Sequence, residues 1–298
     1  MFENLFSVGG MSIERLKSFV EVAEKGAIAR VAEGDPSRQS LISRQITELE
    51  AFFGVELTRR RGKGLELTSF GEELARQIRL HFHGLSDFKS ACVKAPLEFR
   101  IAAGGSLLEW LVAPAMRSLA VSVPTSSFTL IDWRSGEIIR GLLDHRIDAG
   151  IVRKSAVVQP LKSVSLGKLS YSFFVPKKLS RGFKSFPTDV PLATSMGGEF
   201  SESLQAVAAK AKQTLQITYR CTGFTLAAQL VRCGASGAIL PTIAENSMGE
   251  TADLHSVPWL ANLSRELCLV WNPTLLEVRP TFSNALQTLK TELKKRLA

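Results

Sequence analysis

The 298-residue sequence has only four cysteines, Cys92, Cys221, Cys233 and Cys268, scattered and without a C-x-x-C pair. That spacing excludes a zinc ribbon or a dithiol redox motif, and isolated cysteines of this kind are usually small packing residues. The four histidines show no metal-ligand spacing, so neither a metal nor a cofactor is expected. No uncharged apolar run approaches the ~18 residues a membrane-spanning helix requires, and the opening MFENLFSVGG lacks the basic and apolar segments of a signal peptide. The expectation is a cytoplasmic protein without membrane contact. Catalytic signatures are missing too. Ser106, His145 and Cys221 stand far apart, none of them in a nucleophile motif such as G-x-S-x-G, and AAGGS (102–106) lacks the lysine and spacing of a P-loop. No catalytic residue is assigned and an enzyme is not expected.

What is present is a globular composition, 45% apolar, long enough for two or three compact units. The net charge of +9 suggests an anionic partner, but it is unevenly spread. Met1 to Ala95 carries 14 Lys and Arg against 13 Asp and Glu, whereas Pro96 to Ala298 carries 23 against 15. Any nucleic-acid argument for the N-terminal part must therefore rest on the local cluster Arg59, Arg60, Arg61 and Lys63.

MSIERLKSFVEVAEKG (11–26) places Ile13, Leu16, Phe19, Val20 and Ala23 at the spacing of a helix with one buried face, ending at Gly26. AIARVAEG (27–34) makes a short helix before Gly34-Asp35-Pro36, and Ser37 is a candidate cap for the next one. In that next helix Ile42, Ile46, Leu49 and Phe53 form the buried stripe, leaving Gln39, Ser40, Ser43, Arg44 and Thr47 on the other side. Periodicity alone leaves two readings of this face, a solvated surface or a helix for the major groove, where short polar side chains and an arginine reach base edges. The sequel favours the groove. GVELTRRRGKGLELT (54–68) sets short β-prone pieces, Val55 to Thr58 and Leu65 to Thr68, around a basic tip, a two-stranded wing suited to flanking phosphates.

GAIARVAEGDPSRQSLISRQITELEAFFGVEL followed by RRRGKGLELTSFGEEL resembles, without a gap, the winged helix-turn-helix of the LysR-type bacterial transcription regulators. The matching positions are Gln39, Ser43, Arg44, Gln45, Ile46, Leu49, Glu50, Gly54, Leu57, Arg60, Leu67, Thr68 and Gly71. The resemblance implies that Gln39, Ser40, Ser43 and Arg44 meet DNA from the recognition helix and that Arg59 to Lys63 belong to the wing. The chain departs from the pattern at Asp35 and Ser37 in the turn, at Thr58 where the family has Phe, and at Leu41 where it has Ala. The first two are expected to weaken the turn.

TSFGEELARQIRLHFHGLSDFKSACVK (68–94) opens with Ser69 and Glu72 in capping-box spacing and then aligns Leu74, Ile78, Phe82, Leu85 and Phe88. A helix of this length spans roughly 38 Å, and its stripe requires burial either on its own domain or against a symmetric copy. The resemblance favours the second, a dimerising linker. From Pro96 strands alternate with helices, FRIAAGG, SFTLIDW and RIDAGIV in one set, SYSFFVP, DVPLATS, QITYRC and GAILP in another, with RELCLVWNP returning to the first. The expected architecture is α/β, with parallel sheets in two lobes and a cleft outside the carboxyl ends of the strands.

FRIAAGGSLLEWLVAPAM, RIDAGIVR and LVRCGASGAILP resemble the LysR effector-binding domain, itself similar to the periplasmic binding proteins. The resemblance divides the chain into a winged helix-turn-helix (12–68), a linker helix (69–94) and an effector domain (96–298), with lobe 1 at about 96–167 and 271–298 and lobe 2 at about 168–270. The ten residues before Met11 are expected to be a disordered tail or an alternative start. A small anionic effector is expected to meet Gly104, Gly105 and Ser106 at a helix start and Arg153 after a strand. Thr194 and Ser195, with Thr222 and Gly223, face it from the second lobe. Surface solubility is the competing explanation of the charge. The function implied is ligand-responsive transcription regulation through double-stranded DNA by a homodimer or homotetramer. The alternative is a small-molecule-binding module whose altered turn has impaired specific DNA binding.

Overall fold

The computed structural model describes residues 3–6, 9–61, 64–180, 190–195 and 198–297. After one helical turn, α1 (Glu3–Phe6), the Ser12 hydroxyl accepts from the Arg15 amide and starts α2 (Ile13–Lys25), which Gly26 ends in a left-handed conformation at φ 68°. A short α3 (Ile28–Ala32) leads to α4 (Pro36–Phe53). The cap of α4 is Asp35 rather than Ser37: its Oδ1 accepts from the amides of Ser37 (2.8 Å) and Arg38 (3.3 Å), and Pro36 supplies a preset first helical residue. The departure expected to weaken the turn instead fastens it. Gly10 lies against the end of α4, where a Cβ would meet Phe52 Cβ at 3.2 Å and the Glu48 carbonyl at 3.3 Å. Among the residues before Met11, expected to be a disordered tail or an alternative start, Glu3–Phe6 thus form a helical turn and Gly10 packs on α4.

Phe19, Val22, Ile42, Ile46 and Leu49 share one core with Ala75 and Ile78 of the long helix α5 (Ser69–Val93). Ile13, at 65% exposed, and Phe53, at 36%, stand outside the stripes assigned to them, Phe53 meeting the edge of Phe52 with ring centroids 5.0 Å apart. The cap of α5 is Thr68, whose hydroxyl accepts from the Gly71 amide, not Ser69. Gly71 is required there because a Cβ would fall 2.0 Å from the Leu57 carbonyl oxygen. The apolar stripe of α5 divides in two. Ile78 is buried with Leu74 and Phe82 packed beside it, while Leu85 and Phe88 are 58% and 71% exposed.

Contacts separate the chain into two units. Unit 1 joins Met1–Ala95 to the segments Leu143–Arg146 and Glu277–Arg279. Within it Arg279 makes a two-pronged ion pair to Asp87 (2.7 and 3.1 Å), and His83 Nε2 lies 2.9 Å from the His145 carbonyl oxygen. Unit 2 holds two five-stranded sheets. The first runs β4 (Ser126–Asp132), β3 (Leu97–Ala103), β5 (Ala149–Arg153), β12 (Arg265–Trp271) and β6 (Lys162–Leu169), and the second runs β11 (Ala252–His255), β7 (Tyr171–Pro176), β10 (Gly237–Pro241), β8 (Leu192–Ser195) and β9 (Ile217–Cys221). Both are mixed rather than parallel: β12 pairs antiparallel with β5 and β6, and β7 pairs antiparallel with β10 and β11. The helices are α6 (Gly105–Leu107), α7 (Met116–Ser122), α8 (Ser135–Leu143), α9 (Gly198–Lys210), α10 (Phe224–Arg232), α11 (Glu245–Met248), α12 (Pro273–Val278) and α13 (Phe282–Leu297), the last packing Phe282 on Phe99 of β3 at 5.3 Å.

Candidate nucleic-acid interface and ligand cleft

The buried triad Ile42, Ile46 and Leu49 fixes which side of α4 meets solvent. Gln39, Ser40, Ser43, Arg44 and Thr47 are all exposed there and, with Pro36, line one shallow depression. Thr47 returns its hydroxyl to the Ser43 carbonyl (3.2 Å), leaving Gln39, Ser40 and Ser43 as compact donors and acceptors. Leu41 is 51% exposed on the same helix, so it is apolar surface rather than core packing. Arg44 donates Nε to Glu48 Oε1 at 3.0 Å, and Glu48 also pairs with Arg15 Nη2 at 2.5 Å. Burial pushes the Glu48 carboxyl up, but the hydrogen bonds and charges of Arg15 and Arg44 outweigh it and hold the group below the usual carboxylate range.

The wing begins later than the sequence suggested, as β1 (Thr58–Arg61) and β2 (Gly64–Leu67). The reason is Glu50. Its Oε1 accepts from the amides of Leu57 (2.9 Å) and Thr58 (3.0 Å) and from the Thr58 hydroxyl (3.1 Å), tying Leu57 and Thr58 to α4. Arg59, Arg60 and Arg61 therefore lie along a strand rather than at a tip, and strand alternation places Arg60 on the face opposite Arg59. Arg59 stands opposite Glu66 across the ladder and Arg60 opposite Leu65, both arginines being exposed. Lys63 falls outside the described residues.

In unit 2, Arg153 ends β5 and lines a cavity of about 410 Å³ with Lys154, Ser155, Glu199, Arg265 and Glu266. It is the one sequence-predicted effector residue in that lining. Arg153 is not free: it pairs with Glu199 in the first turn of α9, and Arg265 Nη1 reaches the same carboxylate at 3.4 Å. Burial, then the neighbouring Arg265, lowers the Arg153 pKa, with Tyr171 opposing. Phe200 fixes the start of α9 by packing on Tyr171 (4.9 Å) and Phe224 (4.7 Å), and burial pushes the Tyr171 phenol up to about 12. Glu199 escaped sequence reasoning because nothing local marks a carboxylate whose partner is 46 residues away.

The other predicted residues lie at element ends. Gly104 caps α6, and a Cβ on Gly105 would meet Asp132 Oδ2 at 2.8 Å, so an acidic side chain stands beside Gly105. Thr194 is 2% exposed, Ser195 half-buried at the end of β8, Thr222 exposed, and Gly223 caps α10. Among the described residues no cluster of metal-binding side chains occurs, and no helix is long and apolar enough to cross a membrane.

A family model of bacterial regulatory helix-turn-helix proteins of the lysR family matches residues 13–72, and a model of the LysR substrate binding domain matches residues 97–294. Over 148 residues, 48% of this chain and 50% of the relative, the sequence is 34% identical to the HTH-type transcriptional regulator TcbR of a Pseudomonas species. Over 147 residues, 48% of this chain and 50% of the relative, it is 31% identical to the HTH-type transcriptional regulator ClcR of Pseudomonas putida. The chain thus spans about half the length of these curated relatives. A full-length OxyR variant from Pseudomonas aeruginosa superposes with a TM-score of 0.66 at 15% identity, covering 95% of both chains. CbnR, solved with its target DNA, superposes with a TM-score of 0.61 at 21% identity, covering 95% of this chain and 100% of that one. At these identities the likeness shows the fold.

Proposed function

The chain belongs to the LysR family of bacterial regulatory proteins, and on that premise we propose that it is a ligand-responsive, sequence-specific DNA-binding transcription regulator that works in the cytoplasm. Residues 12–68 are the DNA-binding domain, 69–94 the linker and 96–298 the effector domain. The observation that carries the reading is the α4 face, where Gln39, Ser40, Ser43, Arg44 and Thr47 stand exposed on a helix pinned by its buried side. Arg59 and Arg60 on the adjoining wing supply the phosphate contacts, joined by Arg61 and Lys63. The fold shared with CbnR, a protein solved on its target DNA, supports this use of the helix. The binding-module alternative rested on a weakened turn, and Asp35 removes that ground.

The protein acts as a homodimer or homotetramer, with Leu85 and Phe88 as the linker residues that seek a second copy. Its effector is a small anion held in the cleft at Arg153 and Arg265, and the amides of Gly104, Gly105, Ser106 and Gly223 and the hydroxyls of Thr194, Ser195 and Thr222 are assigned to its remaining contacts. The test is a mobility-shift assay across a library of random duplexes. Retention of a sequence-defined subset, about a thousandfold above random DNA, is expected. Uniform, salt-sensitive binding without a preferred sequence would show that the protein does not read DNA.

A further inference from the structure

An arginine on an exposed helix face samples many rotamers, which blurs the bidentate geometry a guanine edge demands. Arg44 is 75% exposed, yet its Nε is committed to Glu48 Oε1 at 3.0 Å. Glu48 is itself anchored. Its other oxygen pairs with Arg15 Nη2 on α2, the Arg15 amide is held by Ser12, and the Glu48 backbone lies under Gly10. Arg15 of α2 therefore braces the carboxylate, and the carboxylate braces the arginine. Because the brace uses Nε, the two terminal nitrogens of Arg44 keep no partner among the described residues. Those nitrogens are the parallel donor pair that matches O6 and N7 of guanine.

We infer that Glu48 is a positioning residue for base reading: it never touches DNA, but it holds Arg44 so that Nη1 and Nη2 meet a single guanine in the half-site. This rests on the DNA-reading function proposed above. Glu48 also brings a negative charge to a surface that must approach phosphates, so it lowers affinity for every duplex while sharpening the choice among them.

The experiment selects bound duplexes from a random library with the full-length protein, its Glu48→Ala and Glu48→Gln variants, and Arg44→Ala. Wild type is expected to enrich one guanine that Arg44→Ala no longer enriches. Glu48→Ala should degrade that same position and lower the preferred-to-random affinity ratio about tenfold, within the range a bidentate contact discriminates. Its affinity for random DNA should rise, with a salt slope steeper by about one. Glu48→Gln keeps an acceptor for Nε and should retain the guanine preference while sharing the raised random affinity. A merely structural role would lower both affinities in parallel. Wild type without any preferred sequence would overturn the DNA-reading function and this inference with it. A preferred site whose ratio and guanine survive Glu48→Ala would overturn the inference alone, as would a Glu48→Gln variant that folds yet loses the guanine.

Discussion

Removing the Glu50 side chain should unfasten the wing from α4. One oxygen accepts three hydrogen bonds, two from the backbone amides of Leu57 and Thr58, and Leu57 is 1% exposed. In Glu50→Ala those donors lose their acceptor, and water reaches them poorly. Hydrogen bonds to a charged group contribute about 1.5 to 3 kcal/mol each, and partial exposure of Thr58 reduces the sum, so a loss of about 3 kcal/mol is expected. Glu50→Gln keeps a neutral acceptor in place and should cost about 1 kcal/mol. The protein provides its own internal control. Trp110, Trp133, Trp259 and Trp271 all lie in unit 2, so far-UV circular dichroism follows the helices of both units during urea unfolding while tryptophan fluorescence follows unit 2. Glu50→Ala should move the dichroism transition and leave the fluorescence transition where it was. A shift below about 0.5 kcal/mol, or equal shifts for Ala and Gln, would refute the role assigned to this carboxylate.

Asp35→Ala should cost about 1 kcal/mol by dichroism-detected unfolding, the usual loss of a helix cap, whereas Ser37→Ala should cost little. Leu85→Asp or Phe88→Asp should reduce the oligomer mass seen by light scattering with the fold intact, while Ile78→Asp should unfold unit 1 by burying an unpaired charge. Unchanged mass for the first pair would remove the linker from the interface. His145 supplies a pH dependence. Burial, then the charges of His83, Arg76 and Arg79, lowers its pKa to about 4 against the opposing Glu73, so the unfolded chain takes up this proton more readily. Stability should therefore be full above about pH 6.5 and fall by up to about 3 kcal/mol as pH drops toward 4. His145→Asn, which tolerates the left-handed φ of 52°, should flatten that dependence, and an unchanged slope in the urea midpoint would contradict it.

Periodicity located α2, α4 and α5 and the buried residues Phe19, Ile42, Ile46, Leu49 and Ile78, because an apolar stripe at helical spacing has to be covered. It could not say what covers it, and so Ile78 packs on its own unit while Leu85 does not. Helix starts were misplaced where two capping residues compete, Asp35 with Ser37 and Thr68 with Ser69. The strands missed, β6 and β11, are half polar and carry no apolar run. Side chains whose meaning is tertiary left no local trace of their partners: Glu50 and Glu199 each take their role from a group that the fold delivers. Of the exposed reading face, by contrast, Gln39, Ser40, Ser43, Arg44 and Thr47 were all legible, since that face is the complement of the buried one.

Because Glu199 already occupies Arg153 and Arg265, an incoming anion does not find an empty site but a tethered competitor. A group carried on the same chain acts at an effective concentration of order millimolar or higher. The apparent dissociation constant of any external carboxylate or phosphate is raised by the fraction of time the guanidiniums are taken, much as a minority binding-competent state weakens apparent affinity. For the anionic effector proposed above, trace anions would be outcompeted and the concentration needed for binding would be set by Glu199. A dianion, matching two guanidiniums where Glu199 offers one charge, would then displace it at lower concentration than a monoanion of the same size.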